Sequence, residues 1–161
     1  MIQELDLDEG NGGMYVSPRL TAAGHQAWPA LLRSALAMYK PSWLQAQSTR
    51  TGFWLTHESY TRNGRVFSKA VPVNAAEVLA EGQFVCYYLR AVACRARDDG
   101  LCLQVVRLKE VLRPRPESTR LLGSAVDAVT LLESLRQDQG IDPVLGIPSG
   151  SNSGLGVRLV R

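Results

Sequence analysis

Asn63-Gly64 is the pair of residues that most narrows the folds open to this chain. It separates two runs, residues 51–60 and 65–71, that are rich in aromatic and β-branched side chains. Asparagine followed by glycine suits the two positive-φ positions of a type I′ turn, so the stretch reads as a β-hairpin. A two-residue loop also fixes the register. Counting back from it, Thr61 faces Val66, Tyr60 faces Phe67, Glu58 faces Lys69, and Arg62 faces Arg65 beside the turn. An aromatic pair and an ion pair thus fall opposite each other, which favours cross-strand pairing. The two arginines are tolerable there only if both splay into water.

Helix signals flank the hairpin. Ser17-Pro18 reads as an N-cap followed by proline at the first helical position. Leu20, Ala23, Ala27, Trp28, Leu31, Leu32, Ala35, Leu36 and Tyr39 then recur at spacings of three and four. Pro29 predicts a kink near Gln26 or two helices meeting there. Lys40-Pro41 ends the run, and residues 41–47 add a short turn with Trp43 inward. Downstream, Asn74 and Glu77 have the spacing of a capping box. The helix they start is interrupted at Gly82 and continues with an apolar stripe of Phe84, Val85, Tyr88, Leu89, Val92 and Ala96, leaving Arg90, Arg95 and Arg97 on the other faces. Asp98-Asp99-Gly100 reads as a turn.

Leu101, Leu103 and Val105 alternate with other residues in a strand that runs to about residue 112 and is expected to join the hairpin's sheet. Pro114 and Pro116 end it, and residues 113–116 read as an extended connector. Asp127 caps a last helix with Val129, Leu131, Leu132 and Leu135 inward, ending at Gly140. The expected fold class is α+β: an antiparallel sheet built on the hairpin (51–71) plus strand 101–112, with three main helices packed largely on one face and extended terminal arms.

Those arms bracket a single domain over residues 14–140, which suits a chain of 161 residues, 45% of them hydrophobic and 20% charged. Residues 1–13 carry Glu4, Asp6, Asp8 and Glu9 without a basic residue. Residues 141–161 are rich in Gly, Ser and Pro, and their Leu155, Val157 and Leu159 alternate like a strand seeking a partner. Such ends suit strand addition on a neighbouring subunit. The candidate assembly contacts are Leu5, Asp6, Leu7, Asp8, Leu155, Val157, Arg158 and Leu159, with Arg158 and Arg161 toward acidic residues of another copy.

Catalytic chemistry finds little support in the residues. His25 and His57 are the only histidines, and none of the nucleophile-elbow, zinc-helix or phosphate-loop motifs occurs. His57 and Glu58 are adjacent in a strand and so point to opposite faces. No catalytic residue, metal ligand or cofactor-binding residue is assigned, and the chain reads as non-enzymatic and cofactor-free. Cys86, Cys94 and Cys102 lack metal-ligand spacing and read as small buried hydrophobes. A net charge of +3 implies nucleic acid only if the charges cluster. The nearest approach to a cluster is Arg107, Lys109, Arg113, Arg115 and Arg120, candidate contacts for phosphate or an acidic partner. Arg90, Arg95 and Arg97 are expected near it, and Trp43, Trp54, Tyr60, Tyr87 and Tyr88 are available for stacking. Glu110 and Glu117 dilute this run and no aromatic is interleaved, so a solvated connector is the favoured reading. No stretch approaches the length of a membrane span, and the acidic start is unlike a signal peptide.

Three stretches, PVNAAEVLAEG at 72–82, KEVLRPRPES at 109–118 and GIPSGSNSGLGVRL at 146–159, together resemble a group of uncharacterised proteins encoded by bacteriophages and prophages. The resemblance covers the C-terminal half, and it carries over no site residue. It implies a structural or assembly subunit of a bacteriophage particle, as a capsid, connector or neck component. Its partners would be other copies of itself or other particle subunits, met through the arms and sheet edges. The location implied is the virion or the bacterial cytoplasm. The alternative is a nucleic-acid-binding accessory protein using the connector 107–120.

Overall fold

The computed structural model describes residues 1–110, 112, 114, 116–137 and 154–161. The chain is α+β, as its sequence predicts, but its contacts divide it into two compact units in place of one domain with arms. One unit is Val16–Glu81; the other combines Met1–Tyr15 with Gly82–Arg161. The terminal segments expected as arms are a helix, α1 (Ile2–Asn11), and a sheet strand, β5 (Leu155–Val160), both within the second unit.

In the Val16–Glu81 unit, helix α2 (Ala22–Met38) starts later than Ser17-Pro18 suggests, because Thr21 caps it: the Thr21 hydroxyl accepts the Gly24 N–H at 3.2 Å. Ser17 Oγ accepts the Arg19 N–H instead, at 3.3 Å. Leu20 and Trp54 form an isolated antiparallel bridge beside the cap. There the Phe53 carbonyl comes so close to α2 that a Cβ on Gly24 would sit 2.5 Å from it, which only glycine tolerates. Pro29 lies inside one continuous helix, so two helices do not meet near Gln26. One lost backbone bond is offset by the inner face of Trp28, Leu32, Ala35 and Leu36, all buried. In α3 (Pro41–Ser48), Leu44 points inward, while the half-buried Trp43 stacks on Tyr39 at 4.3 Å between ring centroids. Strands β1 (His57–Arg62) and β2 (Arg65–Ala70) pair in the predicted register, with Asn63 and Gly64 at φ 51° and 72° in the turn.

Helix α4 (Ala75–Asp99) begins after Asn74, whose carbonyl accepts the Val78 N–H. It runs through Gly82 unbroken, and the division between the units falls at that residue. Its buried face is rotated from the expected stripe: Cys86, Leu89, Ala93 and Ala96 enter the core, Tyr88 is exposed, and Arg90 is buried. Asp98 and Asp99 lie in its last turn, and the chain reverses at Gly100, φ 65°.

Strand β3 (Cys102–Arg107) is shorter than the expected 101–112 and does not join the hairpin. It is the centre of a separate antiparallel sheet, flanked by β4 (Ala125–Val126) and β5. Period-2 alternation reveals a strand but not its neighbour, and β5 lies far along the chain, with Val105 opposite Val157. Pro116 opens a short helix, α5 (Pro116–Leu121), where an extended connector was expected. Asp127 caps α6 (Ala128–Gln137) by accepting the Thr130 N–H at 2.8 Å. Leu131, Leu132 and Leu135 enter the core, whereas Val129 is exposed. The helix end expected at Gly140 lies outside the described residues. Of the cysteines only Cys86 is buried; Cys94 is intermediate and Cys102 exposed.

Candidate functional site

The Met1–Tyr15 plus Gly82–Arg161 unit holds a buried charge cluster. Helical spacing of four puts Glu4 and Asp8 on the same side of α1 as Leu5, and all three are buried. On α4 the same logic aligns Tyr87, Arg90 and Cys94. The Arg90 guanidinium, with no exposed surface, bonds Asp8 through Nη1 at 2.6 Å and Nη2 at 3.0 Å, and Glu4 through Nε at 2.9 Å. Tyr87 donates its hydroxyl to Asp8 at 2.7 Å. Arg136 of α6 bonds both Glu4 oxygens, at 2.7 and 3.0 Å. The Cys94 thiol donates to Glu4 at 3.3 Å.

Two guanidinium cations thus balance two carboxylates. Burial would raise the Glu4 pKa, but the bonds from Arg136, Cys94 and Arg90 outweigh it and hold the carboxyl at about 2. Burial likewise works against charge on Arg90, and the Asp8 and Glu4 carboxylates more than reverse that, raising its pKa. Burial, then the bond to Asp8, holds the Tyr87 phenol above its ordinary value. Burial pushes the Cys86 thiol up to about 11, and raises Cys94 together with the Glu4 contact. This arrangement ties three helices together. Sequence reasoning missed it because Arg90 was assigned outward by residue type; the available signal was the Glu4/Asp8 pair flanking an apolar Leu5.

The predicted assembly contacts do not form one surface. Leu5, Asp8, Leu155 and Val157 are buried within their own unit, while Asp6, Leu7, Arg158 and Leu159 are exposed. Arg158 bonds Gln104 Oε1 of the neighbouring strand at 2.7 Å. Of the basic run, Arg107 is half-buried on β3 while Lys109 and Arg120 are exposed; Arg113 and Arg115 lie outside the described residues. Arg90 is buried and Arg95 and Arg97 pair with Asp99 and Asp98, so none of the three adds to a basic patch. Tyr87 is buried and unavailable for stacking. His25 and His57 are both exposed.

The exposed chemistry gathers instead on the β1–β2 hairpin of the Val16–Glu81 unit, where every strand residue except Glu58 is exposed. Alternation puts Glu58, Tyr60 and Arg62 on one face with Lys69, Phe67 and Arg65 opposite them. At its base Glu58 accepts Arg19 Nε at 2.6 Å and Lys69 Nζ at 3.2 Å. The Arg19 bond is the chief reason its carboxyl lies below the usual range. In the middle, the Tyr60 and Phe67 rings stack 5.6 Å apart, with Lys69 Nζ 5.3 Å from the Tyr60 centroid. At the tip, Arg62, Asn63, Arg65 and Phe67 line a surface concavity of ≈ 450 Å³. Among the described residues no carboxylate pairs with Arg62 or Arg65. Comparison with protein-family models, with curated proteins and with solved structures finds no match to this chain.

Proposed function

We propose that the chain is a non-enzymatic binding and assembly subunit whose working surface is the β1–β2 hairpin. The observation that carries this is a two-stranded ribbon exposed on both faces, with no third strand on either edge among the described residues. Such a ribbon is marginal by itself in water, and its outer edges offer unpaired N–H and C=O groups to a partner strand. The hairpin, and not the terminal segments, is the contact surface in this reading, because Leu5, Asp8, Leu155 and Val157 are buried within their own unit. Resemblance to bacteriophage and prophage proteins supports a particle component, capsid, connector or neck, with other copies or other particle subunits as partners.

The test replaces residues 58–69 with a short Gly/Ser turn and measures native mass by light scattering beside far-UV circular dichroism. The expected result is a chain that keeps its helical signal and loses self-association. An unchanged mass, or a full chain that stays monomeric alone and with particle subunits, counts against the proposal.

A further inference from the structure

The hairpin tip combines three features that strand addition does not use. Arg62 and Arg65 face each other across the turn, both exposed to water, so their side chains offer two neighbouring positive charges that an anion can bridge. Phe67, 42% exposed, borders the same concavity and offers a flat apolar surface. Asn63, held at positive φ, places an amide with both donor and acceptor capacity on that rim.

We infer that the hairpin tip binds single-stranded nucleic acid, with Arg62 and Arg65 on backbone phosphate and a base stacked against Phe67 in the concavity they share with Asn63. Charge complementarity selects a polyanion. The aromatic beside the cations selects one with planar bases over an acidic protein or an anionic lipid surface, because ring stacking adds attraction that carboxylates and headgroups lack. A duplex hides its base faces within the stack, so the single strand is the better ligand. Lys69 and Arg19 continue positive charge toward the base of the same face, although Glu58 partly neutralises them. With one amide at the rim, the site discriminates little between sequences. The inference moves phosphate contact from the connector 107–120 to the hairpin, and it is independent of the strand edges invoked for assembly.

The experiment is fluorescence anisotropy of the full chain with a labelled oligothymidylate of about ten nucleotides, a length within the usual site size. Arg62→Ala/Arg65→Ala, Phe67→Ala and Phe67→Trp are compared with wild type, with native mass recorded for each. Binding is expected to weaken with salt at a log–log slope of about −0.7 per phosphate contacted. The double arginine variant is expected to lose at least roughly tenfold in affinity, with a slope shallower by about 1.4. Phe67→Ala should lose on the order of fivefold or more, and Phe67→Trp should retain binding. Because the two arginines are exposed and Phe67→Trp keeps a ring stacked on Tyr60, circular dichroism and native mass should not change in those variants. Undetectable binding by the wild type at low salt, equal binding by the arginine variant, or full binding by Phe67→Ala overturns the inference. Displacement by duplex or by polyglutamate as effective as by single strand does so too, assigning the tip to general polyanion contact. Assembly is scored separately, so loss of one activity without the other shows which idea fails.

Discussion

Arg90 has given up all contact with water and received two carboxylates in exchange. Removing one partner of a buried pair leaves the others desolvated and uncompensated, typically at a cost of about 3–5 kcal/mol. Arg90→Ala should therefore destabilise its unit by that order in urea titrations, since Glu4 and Asp8 would remain buried. Arg90→Met combined with Glu4→Gln and Asp8→Leu should recover much of the loss, because no full charge then stays in the core. The same cluster sets an acid limit. Glu4 titrates at about 2 in the folded chain against 4.5 ordinarily, so the folded state binds fewer protons there and its stabilisation is complete above 4.5. Stability should fall as pH drops from about 5 toward 2, and Glu4→Gln should flatten that slope in acid denaturation followed by circular dichroism.

Strand β5 and helix α1 each bring buried side chains that nothing else in their unit supplies: Leu155 and Val157 from one, Leu5 from the other. Deleting residues 1–12 or 154–161 should thus cost the fold of that unit, seen as lost helical ellipticity and a broadened urea transition. A truncated chain that keeps full cooperativity would restore the view of these segments as free arms. Sequence reasoning reached the hairpin's register to the residue because its evidence is local: two turn residues fix φ, and alternation fixes the register, although the first strand begins at His57 and not at Thr51. It also found Asp127 as a cap and the alternation of Leu155, Val157 and Leu159. It failed where the deciding contact is remote. Nothing near Leu103 says that its neighbour is Leu159 and not the hairpin, and nothing beside Arg90 announces Glu4. Thr21 displaced Ser17 as the cap because the close pass of Phe53 fixes where α2 can begin.

At the scale of the whole chain, each unit has its own reporter. All three tryptophans, Trp28, Trp43 and Trp54, belong to Val16–Glu81, whereas Arg90 and its partners belong to the other unit. Arg90→Ala should shift the circular dichroism midpoint in urea further than the tryptophan fluorescence midpoint; equal shifts would show that the units unfold as one. The discontinuity of the second unit has a further consequence, during biosynthesis. A ribosome delivers Val16–Glu81 in one uninterrupted piece, and delivers α1 before it but Arg90 only afterwards. At about 5–20 residues per second, the nascent Glu4 and Asp8 wait several seconds in water for their guanidinium, and β3, made after Arg90, must then wait in its turn for β5. The tryptophan-bearing unit is thus positioned to gather its core first on the ribosome, while the other cannot close until β5 has emerged.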